Sequence, residues 1–489
     1  TAELNWGDVQ AMVSSLSVGE KRMAELVKQY GLRTMLDAPE EILAYSQKRA
    51  RQALRRIPDG RYEFTDYLDN DLISDVPVRL NVVMSVEDGA VELDFSGSDL
   101  QTVGPLNLAT GGLRHPWLVL RLVSLARSYA PDLTLNGGIF RNVAVKTKQG
   151  TIYHPAAPAS VGIRFATGLR TYDAVNGAIA AAAPGLMPAA SGGVAVPIVL
   201  VEPADEGGQS KVSVIQFMLG GTGARGDADG IDGIDPGMSS MANNPIEIVE
   251  SEANISILEY GVRPDSGGPG RMRGGCGQRI VFEVHEDGCV MLARGIERVR
   301  FQPWGLQGGE PGAGFQIRYF HADGEVEFLT RVDTLHLMKG DRIEVCTPGG
   351  GGFGSALDRP PEAVLEDVVA GFVSVAAAAE SYGVVIADGR LDLEATKALR
   401  RQMKEDRTPA EFCGGARRSE WEEGFPPRLQ DRFLDTLFRL PRTRRAMERE
   451  RSFAAILGAG ADLSGERPDG ARVEAEIARL QGIDSTSNR

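Results

Sequence analysis

The sequence predicts a multi-domain α+β protein, in which a mixed α/β core precedes a β-rich, sandwich- or barrel-like region and a helical C-terminal part. Three observations lead to this prediction. The 489 residues exceed what one hydrophobic core usually organises. Apolar residues recur at helical spacing near both ends of the chain. Between them, short apolar runs alternate with turn residues.

Shifts in this pattern divide the chain into four predicted parts. They are a helical segment over 1–57, an α+β core over 58–250, a β-rich domain over 251–357, and a helical region with an extension over 358–489. The tract PGGGGFG marks the end of the third part, because so many glycines cannot continue a strand or a helix.

The first part is predicted to be helical because apolar side chains recur every three or four residues over 7–57. Pro39, followed by two glutamates, fits the first turn of a helix. Strands follow over 60–96, where apolar and polar residues alternate on both sides of Asp88 and Gly89. This dipeptide is typical of a two-residue hairpin turn.

Helices and strands alternate through the rest of the core. Helices are predicted near 116–129 and 171–183, with strands near 139–153 between them and two strand-like runs after them. The run 178–201 carries no charge, but three prolines interrupt it. We therefore interpret it as a buried segment and not as a membrane span.

The third and fourth parts differ clearly in pattern. From 254 to 347 the chain consists of short apolar runs bounded by Gly, Asp or Pro, as in a sandwich or barrel. Helical spacing returns over 361–382 and 392–404. The residues after 405 are charged and rich in arginine, and we expect them to form a helical appendage.

Composition narrows the function classes. The formal net charge of −14, without a long basic stripe, argues against a nucleic-acid partner. The four cysteines show no C-x-x-C spacing, which favours a reduced, cytoplasmic protein. The 59 glycines indicate many turns, or backbone placed close to a ligand.

Several familiar catalytic motifs are missing from the sequence. No Gly-Lys dipeptide occurs, so there is no Walker A loop, and neither H-E-x-x-H nor G-x-S-x-G is present. The five histidines are scattered, with no pair at metal-ligand spacing. The residues themselves thus show glycine loops and arginines but no complete catalytic set.

The stretch MLGGTGARGDADGIDGID contains G-x-G-x-x-G at Gly221, Gly223 and Gly226. The amphipathic helix that a dinucleotide site requires does not follow, so we do not predict such a site. Two interpretations remain open. The stretch is either a structural turn cluster or an anion-binding loop, in which backbone N–H groups form a nest and Arg225 adds charge.

Two further polar stretches have the same ambiguity. Asn243 and Asn244 stand before a proline, where they suit either a turn or a polar site. The glycine-rich connection that follows carries Arg263, Arg271 and Asp265. If Asp265 pairs with an arginine, this connection is a rigid structural element. Otherwise this connection binds a partner subunit or an anionic group.

Five motifs in this order resemble the hydantoinase B/oxoprolinase family: GGTGARGDADGIDG, NNPIEIVE, YGVRPDSGGPGRMRGGCG, RFQPWGLQGGEPG and TPGGGGFG. The resemblance covers roughly residues 5–400. It implies a subunit of a hetero-oligomeric, ATP-dependent enzyme. A hydantoinase A-like partner would bind ATP and phosphorylate the substrate, and this chain would process the phosphorylated species.

The resemblance leaves three functions open. The first is hydrolysis of a cyclic amide, such as a hydantoin, 5-oxoproline or a lactam. The second is ATP-dependent carboxylation of a ketone with bicarbonate, as in acetone and acetophenone carboxylases. The third is a non-catalytic scaffold that only docks the ATPase subunit.

On this resemblance we expect the glycine and arginine loops to hold an oxyanion or a phosphate. Arg225 and the surrounding N–H groups would hold the phosphorylated oxygen, while Glu247 or Asp265 would orient water or a neighbouring arginine. The candidate catalytic residues are thus Arg225, Glu247 and Asp265, and the candidate substrate-binding residues are Gly221, Gly223, Asn243, Asn244, Arg263 and Arg271.

The chain departs from the family pattern in two ways. Family members usually begin with a further segment that bears His and Asp metal ligands. We therefore expect no metal site in this chain, and a divalent metal would need ligands from a missing segment or a separate polypeptide. Where hydrolase-type members tend to read Ser-Gln-Gly, this chain has Ser191, Gly192 and Gly193. This difference and the C-terminal extension favour the carboxylase branch.

Overall fold

The computed structural model confirms a mixed α+β, multi-domain fold with a helical C-terminal region. No helix among the residues it describes is long and apolar enough to cross a membrane. Those residues are 2–204, 208, 210–234, 237, 241–332, 334–406, 410–458 and 467–487.

Two helices form the N-terminal part, α1 (Ala2–Tyr30) and α2 (Leu32–Leu54), joined at Gly31 with φ +83°. The prediction that Pro39 begins a helix is wrong, because α2 starts earlier and Pro39 lies inside it. Most side chains of this part are exposed. A carbonyl that loses its helical N–H partner to proline can therefore bond to water.

The core is a four-stranded sheet in the order β1-β2-β3-β4, with two helices packed on it. The predicted hairpin is confirmed, because β2 pairs antiparallel with β3 across Asp88 (φ +48°) and Gly89 (φ +77°). The bounds are β1 Gly60–Leu68, β2 Val78–Glu87, β3 Ala90–Asp94, β4 Val143–Lys146, α3 Pro116–Tyr129 and α4 Arg164–Ala182.

Helix α4 is buried along almost its whole length. Its glycines allow the close approach of aromatic rings: a Cβ on Gly168 would lie 2.5 Å from Trp117, and one on Gly177 would lie 2.6 Å from Phe64. The helix begins seven residues before the predicted start, because Arg170 interrupts the apolar pattern although it is buried and ion-paired.

Two open sheets follow and share one hydrophobic core, in a sandwich-like arrangement and not a closed barrel. Their strand orders are β13-β9-β5-β6 and β12-β11-β14-β8-β7. The bounds are β5 Ala195–Ala204, β6 Ser210–Leu219, α5 Ile246–Glu252, β7 Ile255–Val262, β8 Gln278–Val284, β9 Cys289–Ala293, β10 Gly305–Leu306, β11 Gln316–Phe320, β12 Val326–Leu329, β13 Leu335–Leu337 and β14 Arg342–Cys346.

The C-terminal helices dock on the core through a cluster of aromatic and aliphatic side chains. In this cluster Trp421, Phe425 and Phe453 pack with Tyr67 and Phe301 of the core. The bounds are α6 Pro361–Val369, α7 Val375–Glu380, β15 Val385–Ala387, β16 Arg390–Asp392, α8 Leu393–Asp406, β17 Phe412–Cys413, α9 Ala416–Gly424, α10 Pro427–Arg439, α11 Arg442–Leu457 and α12 Gly470–Ser487.

Candidate active site

A cavity of about 300 Å³ lies where α3, the segment after α4, and the loop after β6 meet. Two guanidinium groups and two hydroxyl groups line it, from Arg121, Arg225, Ser191 and Thr222. Guanidinium groups and the Thr222 hydroxyl in one concave site are suited to a small anion. The remaining lining residues are Pro188, Gly223, Ala228, Asp229 and Ile231.

Arg121 extends from α3 with only 11% of its side chain exposed. Its guanidinium stacks 3.4 Å above the Tyr172 ring, and one Nη lies 4.0 Å from an Asp173 carboxylate oxygen. Its buried Nε has no hydrogen-bond partner among the described residues. Burial lowers the pKa of Arg121. Arg121 is therefore a desolvated cation at the cavity wall with unused donor capacity.

Ser191 is held from behind by a buried ion pair. Its hydroxyl donates to both oxygens of Asp173, at 3.2 and 3.0 Å, and its N–H donates to Asp173 at 3.1 Å. Asp173 in turn accepts from Nη2 of Arg298 at 2.7 Å, and both of these side chains are fully buried. Arg298 also lies 3.4 Å from Asp66. The arrangement fixes the Ser191 hydroxyl against the cavity.

A further carboxylate, Glu297, stands next to Arg298 in the chain. It accepts from the N–H of Asp69 at 3.0 Å and from Arg170 at 3.2 Å. Burial, with the nearby negative charge of Asp69, raises the pKa of Glu297 to about 8. Asp69 also accepts N–H bonds from residues 299–301 at 2.6 to 3.2 Å. These bonds fix the loop that carries Arg298.

The glycine-rich loops pack against one another below the cavity. The Gly350 N–H donates to the Gly275 carbonyl at 2.8 Å, and the Gly275 N–H donates to the Thr222 carbonyl at 2.9 Å. The Gly221 N–H donates to the Pro348 carbonyl at 3.0 Å. Glycine is needed here because these backbones lie too close together for side chains.

Substitution geometry shows how close that packing is at two predicted site residues. A Cβ on Gly221 would lie 1.9 Å from the Gly275 carbonyl oxygen, and one on Gly223 would lie 1.9 Å from the Ala189 carbonyl oxygen. Both glycines thus serve backbone packing. Since the Gly221 N–H is already bonded, it is not free to bind an anion.

Arg225 is the one predicted catalytic residue that lines the cavity. Its side chain is 60% exposed, and its Nε lies 3.1 Å from Asp227, whose side chain is 80% exposed. Such a pair is weak, so Arg225 can turn towards a ligand. Asp229, which also lines the cavity, is engaged with both Nη atoms of Arg359 at 2.8 Å.

The other predicted residues of the glycine-rich connection bind backbone groups elsewhere. Arg263 donates to the Gly314 carbonyl at 2.7 Å, and Arg271 donates to the Gly226 carbonyl at 2.5 Å. Asp265, at φ +57°, accepts the N–H of Ser374 at 2.7 Å. The structure does not bring these three side chains into the cavity.

The asparagines and Glu247 lie on another part of the surface. Asn244 exchanges bonds with Gln216, and the Asn243 side-chain oxygen accepts from Gln278 at 3.4 Å. Glu247 is exposed in the first turn of α5. None of the three lines the cavity.

Sequence reasoning missed Arg121, Asp173 and Arg298, and it singled out Ser191 only as part of a departure from the family pattern. The available signal was the pair Arg170 and Asp173 in helix α4, whose other residues are mostly small or apolar. Charged side chains in such a helix imply buried partners of opposite charge. The partner of Asp173 is Arg298, 125 positions away, and no local pattern links the two.

The donor set of the cavity does not fit a metal ion. Its charged lining residues are mostly arginine, and the lining carboxylate of Asp229 is bonded to Arg359. Within the described part of the chain, no group of three or more His, Cys, Asp or Glu side chains is placed to hold a metal. We therefore derive no step through a metal at this cavity.

Comparison with known proteins identifies a matching family and several similar proteins. The family model described as Hydantoinase B/oxoprolinase matches residues 1–356. One polypeptide of a proposed D-/L-hydantoinase from Pseudomonas sp. (strain NS671) is 30% identical over 405 residues, which cover 81% of this chain and 67% of that protein.

Two solved structures are similar. The ATP-dependent caprolactamase of Pseudomonas jessenii has a TM-score of 0.64 and 25% identity, and the match covers 81% of this chain and 69% of that one. A nucleotide-free acetone carboxylase has a TM-score of 0.69 at 19% identity, over 93% of this chain and 66% of that one. The second likeness is one of fold. Taken with the family-model match, these findings show that the chain belongs to the hydantoinase B/oxoprolinase family.

Proposed function

We propose that this chain is a subunit of an ATP-dependent enzyme that hydrolyses a cyclic amide, such as a hydantoin, 5-oxoproline or a lactam. In this proposal a hydantoinase A-like partner binds ATP and phosphorylates the amide oxygen. This chain then receives the phosphorylated species. The observation that carries the proposal is the pair Arg121 and Arg225, which line one cavity together with two hydroxyl groups.

The residues of the cavity suit the second half of such a reaction. Water adds to the ring carbon that bears the phosphate, and the C–N bond opens with its electron pair on nitrogen, which takes up a proton, to give an amine and an acyl phosphate. A second water then adds to the acyl carbon, and phosphate leaves with the electron pair of its C–O bond, so that the products are a carboxylate and phosphate. Arg121, already desolvated, and Arg225, free to turn, stabilise the negative charge of the phosphoryl group. Ser191, whose hydroxyl proton is bonded to Asp173, presents its oxygen at a fixed position, where it can accept a hydrogen bond from the attacking water.

The names of the relatives support the amide substrate class. Relatives of this chain are called a D-/L-hydantoinase and a caprolactamase, and these are cyclic-amide enzymes. All four cysteines are free thiols, which is compatible with the cytoplasmic location that we propose. Should the enzyme need a divalent metal, we propose that its ligands come from another polypeptide or segment.

A second candidate is carboxylation of a ketone with bicarbonate. The C-terminal region favours it, because the acetone carboxylase match covers 93% of this chain. The part of the chain outside this match is shorter than the segment that follows residue 405. The match therefore includes part of the C-terminal helices. The family model ends at residue 356, and the caprolactamase match covers 81% of the chain.

Activity of the chain with its co-purifying subunits separates these functions. ATP turnover is measured with hydantoin, 5-oxoproline, a lactam, and a ketone with and without bicarbonate. Turnover stimulated by an amide without bicarbonate supports the proposal, whereas turnover that needs both ketone and bicarbonate selects the carboxylase. If Arg121→Ala leaves substrate-dependent turnover unchanged while assembly persists, the cavity is not the active site and the scaffold function gains support.

A further inference from the structure

A second cavity, of about 260 Å³, lies between the core and the C-terminal helices. It is lined by other elements than the candidate active site: the segments 100–103 and 158–160, Gly150, and the first turn of α11. We propose that this cavity binds a phosphate-bearing small molecule through Arg442 and Arg445. The proposal is independent of the function proposed above.

Both guanidinium groups are fixed in place by backbone carbonyls. Arg445 donates to the carbonyls of Leu440 and Phe438 at 2.9 and 2.8 Å. Arg442 donates through Nη2 to the carbonyls of Ala156 and Ala157 at 3.0 and 2.9 Å. Within the described residues, Nη1 of each arginine and Nε of Arg442 have no hydrogen-bond partner. The cavity is thus lined by preorganised cations with free donors.

In the part of the chain that the structure describes, no carboxylate forms an ion pair with these two arginines. Among the described residues, neither Arg442 nor Arg445 lies within 4.0 Å of a carboxylate oxygen, whereas Arg449, one turn further along α11, is saturated by Asp99 at 2.5 to 3.2 Å. Arg449 therefore has a buried acidic partner. Arg442 and Arg445 are held as charged groups without one.

A third cation adds to the positive charge. Nζ of Lys148 lies 3.7 Å from the centre of the Phe438 ring, beside the cavity. Burial lowers the pKa of Lys148, and the charge of Arg445 lowers it further, although Asp435 opposes this. Burial and then Arg442 lower the pKa of Arg445. Arg445 is thus repelled by Arg442 and by Lys148, and a bound anion would relieve this repulsion.

The geometry favours phosphate over a carboxylate. A carboxylate has two oxygens and suits one guanidinium fork, whereas a phosphomonoester has three terminal oxygens and up to two negative charges. The two guanidinium groups that line the cavity can both donate to such a group. The volume leaves room for a small organic moiety beside the phosphate.

Binding would also join two parts of the molecule. Arg442 and Arg445 belong to the C-terminal helices, while Gly150 and 158–160 belong to the core. A ligand held between them stabilises the docked state by mass action. Saturation is therefore expected to raise the thermal midpoint of the full chain.

The test is calorimetric titration of the full chain at constant ionic strength, with inorganic phosphate, glycerol 3-phosphate and acetate as separate probes. Saturable binding of phosphate or glycerol 3-phosphate is expected. Arg442→Ala should weaken it about tenfold, the equivalent of one charge-assisted hydrogen bond. Arg445→Lys should weaken it too, because the fork is lost.

Arg444→Ala is the matched control, because Arg444 is exposed on the same helix turn and does not line the cavity. It should bind as the unchanged chain does. Equal affinity for the two phosphates identifies free phosphate as the ligand, and tighter binding of glycerol 3-phosphate identifies a phosphomonoester. The proposal is overturned if the unchanged chain binds neither phosphate nor glycerol 3-phosphate at about 10 mM, or if it binds acetate as tightly as these two. It is also overturned if Arg444→Ala weakens binding as much as Arg442→Ala.

Discussion

Replacing Asp173 by asparagine tests the ion pair that supports the candidate active site. The substitution keeps the shape of the side chain but removes the charge that faces Arg298 at 2.7 Å, where both side chains are fully buried. Removing one partner of a buried pair costs about 3–5 kcal/mol, and the loss should lie near the lower end because Arg298 keeps Asp66 at 3.4 Å as a counter-charge. Arg121, 4.0 Å away, loses a counter-charge as well.

Equilibrium unfolding in urea, followed by tryptophan fluorescence, measures the effect. With a slope of about 3 kcal/mol per molar urea, the midpoint of the transition should fall by at least roughly 1 M. The double variant Asp173→Asn, Arg298→Met should lose less than the sum of the single losses, because each single loss already includes the interaction between these two side chains. Asp227→Asn, in the exposed pair with Arg225, should unfold as the unchanged chain does.

A loss below about 1 kcal/mol for Asp173→Asn would refute this reasoning, since the pair would then not be desolvated. Additive losses in the double variant would refute it too, because additivity means that the two side chains do not interact.

Three further predictions concern other features. Gly221→Ala should abolish soluble, folded protein, because its Cβ would lie 1.9 Å from a carbonyl oxygen. Gly226→Ala, whose Cβ would have its nearest contact at 3.5 Å, should be tolerated. Yield and thermal midpoint compare the two variants, and equal values would contradict the packing argument. Folding raises the pKa of Glu297 to about 8. The contribution of this carboxyl group to the free energy of unfolding is therefore present at low pH and is lost as the pH rises towards 8. Relative to Glu297→Gln, the unchanged chain should therefore lose stability between about pH 5 and pH 8 in urea titrations, and a constant difference would contradict this. Arg121→Lys should lower turnover about tenfold or more while leaving the thermal midpoint nearly unchanged. The reason is that lysine keeps the positive charge but loses the guanidinium fork and its stacking on Tyr172. Unchanged turnover would contradict the anion-holding role of Arg121.

The fold was predictable where local signals suffice. Helix α3 has the predicted bounds because Pro116 opens it and His115, whose ring accepts the N–H of Trp117 at 3.2 Å, caps it. The hairpin at Asp88 and Gly89 follows from turn chemistry alone. The start of α4 was not predictable, because its charged residues are satisfied by partners distant in the chain.

The candidate site was predictable only in part. Arg225 was identified from its place in a glycine-rich loop, and it lines the cavity. A run of glycines with free N–H groups has the same sequence pattern whether those groups meet an anion or another loop. In this chain Gly221 meets the Pro348 carbonyl, and Arg263 meets the Gly314 carbonyl. Only the tertiary neighbours distinguish these cases.

The packed glycine loops have a consequence for how the protein responds to heat. Hydration of exposed apolar surface makes the heat capacity of unfolding positive, and hydration of exposed peptide groups makes it smaller. Unfolding around Gly221, Gly275 and Gly350 releases mainly peptide groups that were bonded to each other. This layer should therefore lower the heat-capacity change per residue and flatten the temperature dependence of stability, compared with the leucine- and valine-rich layers around it.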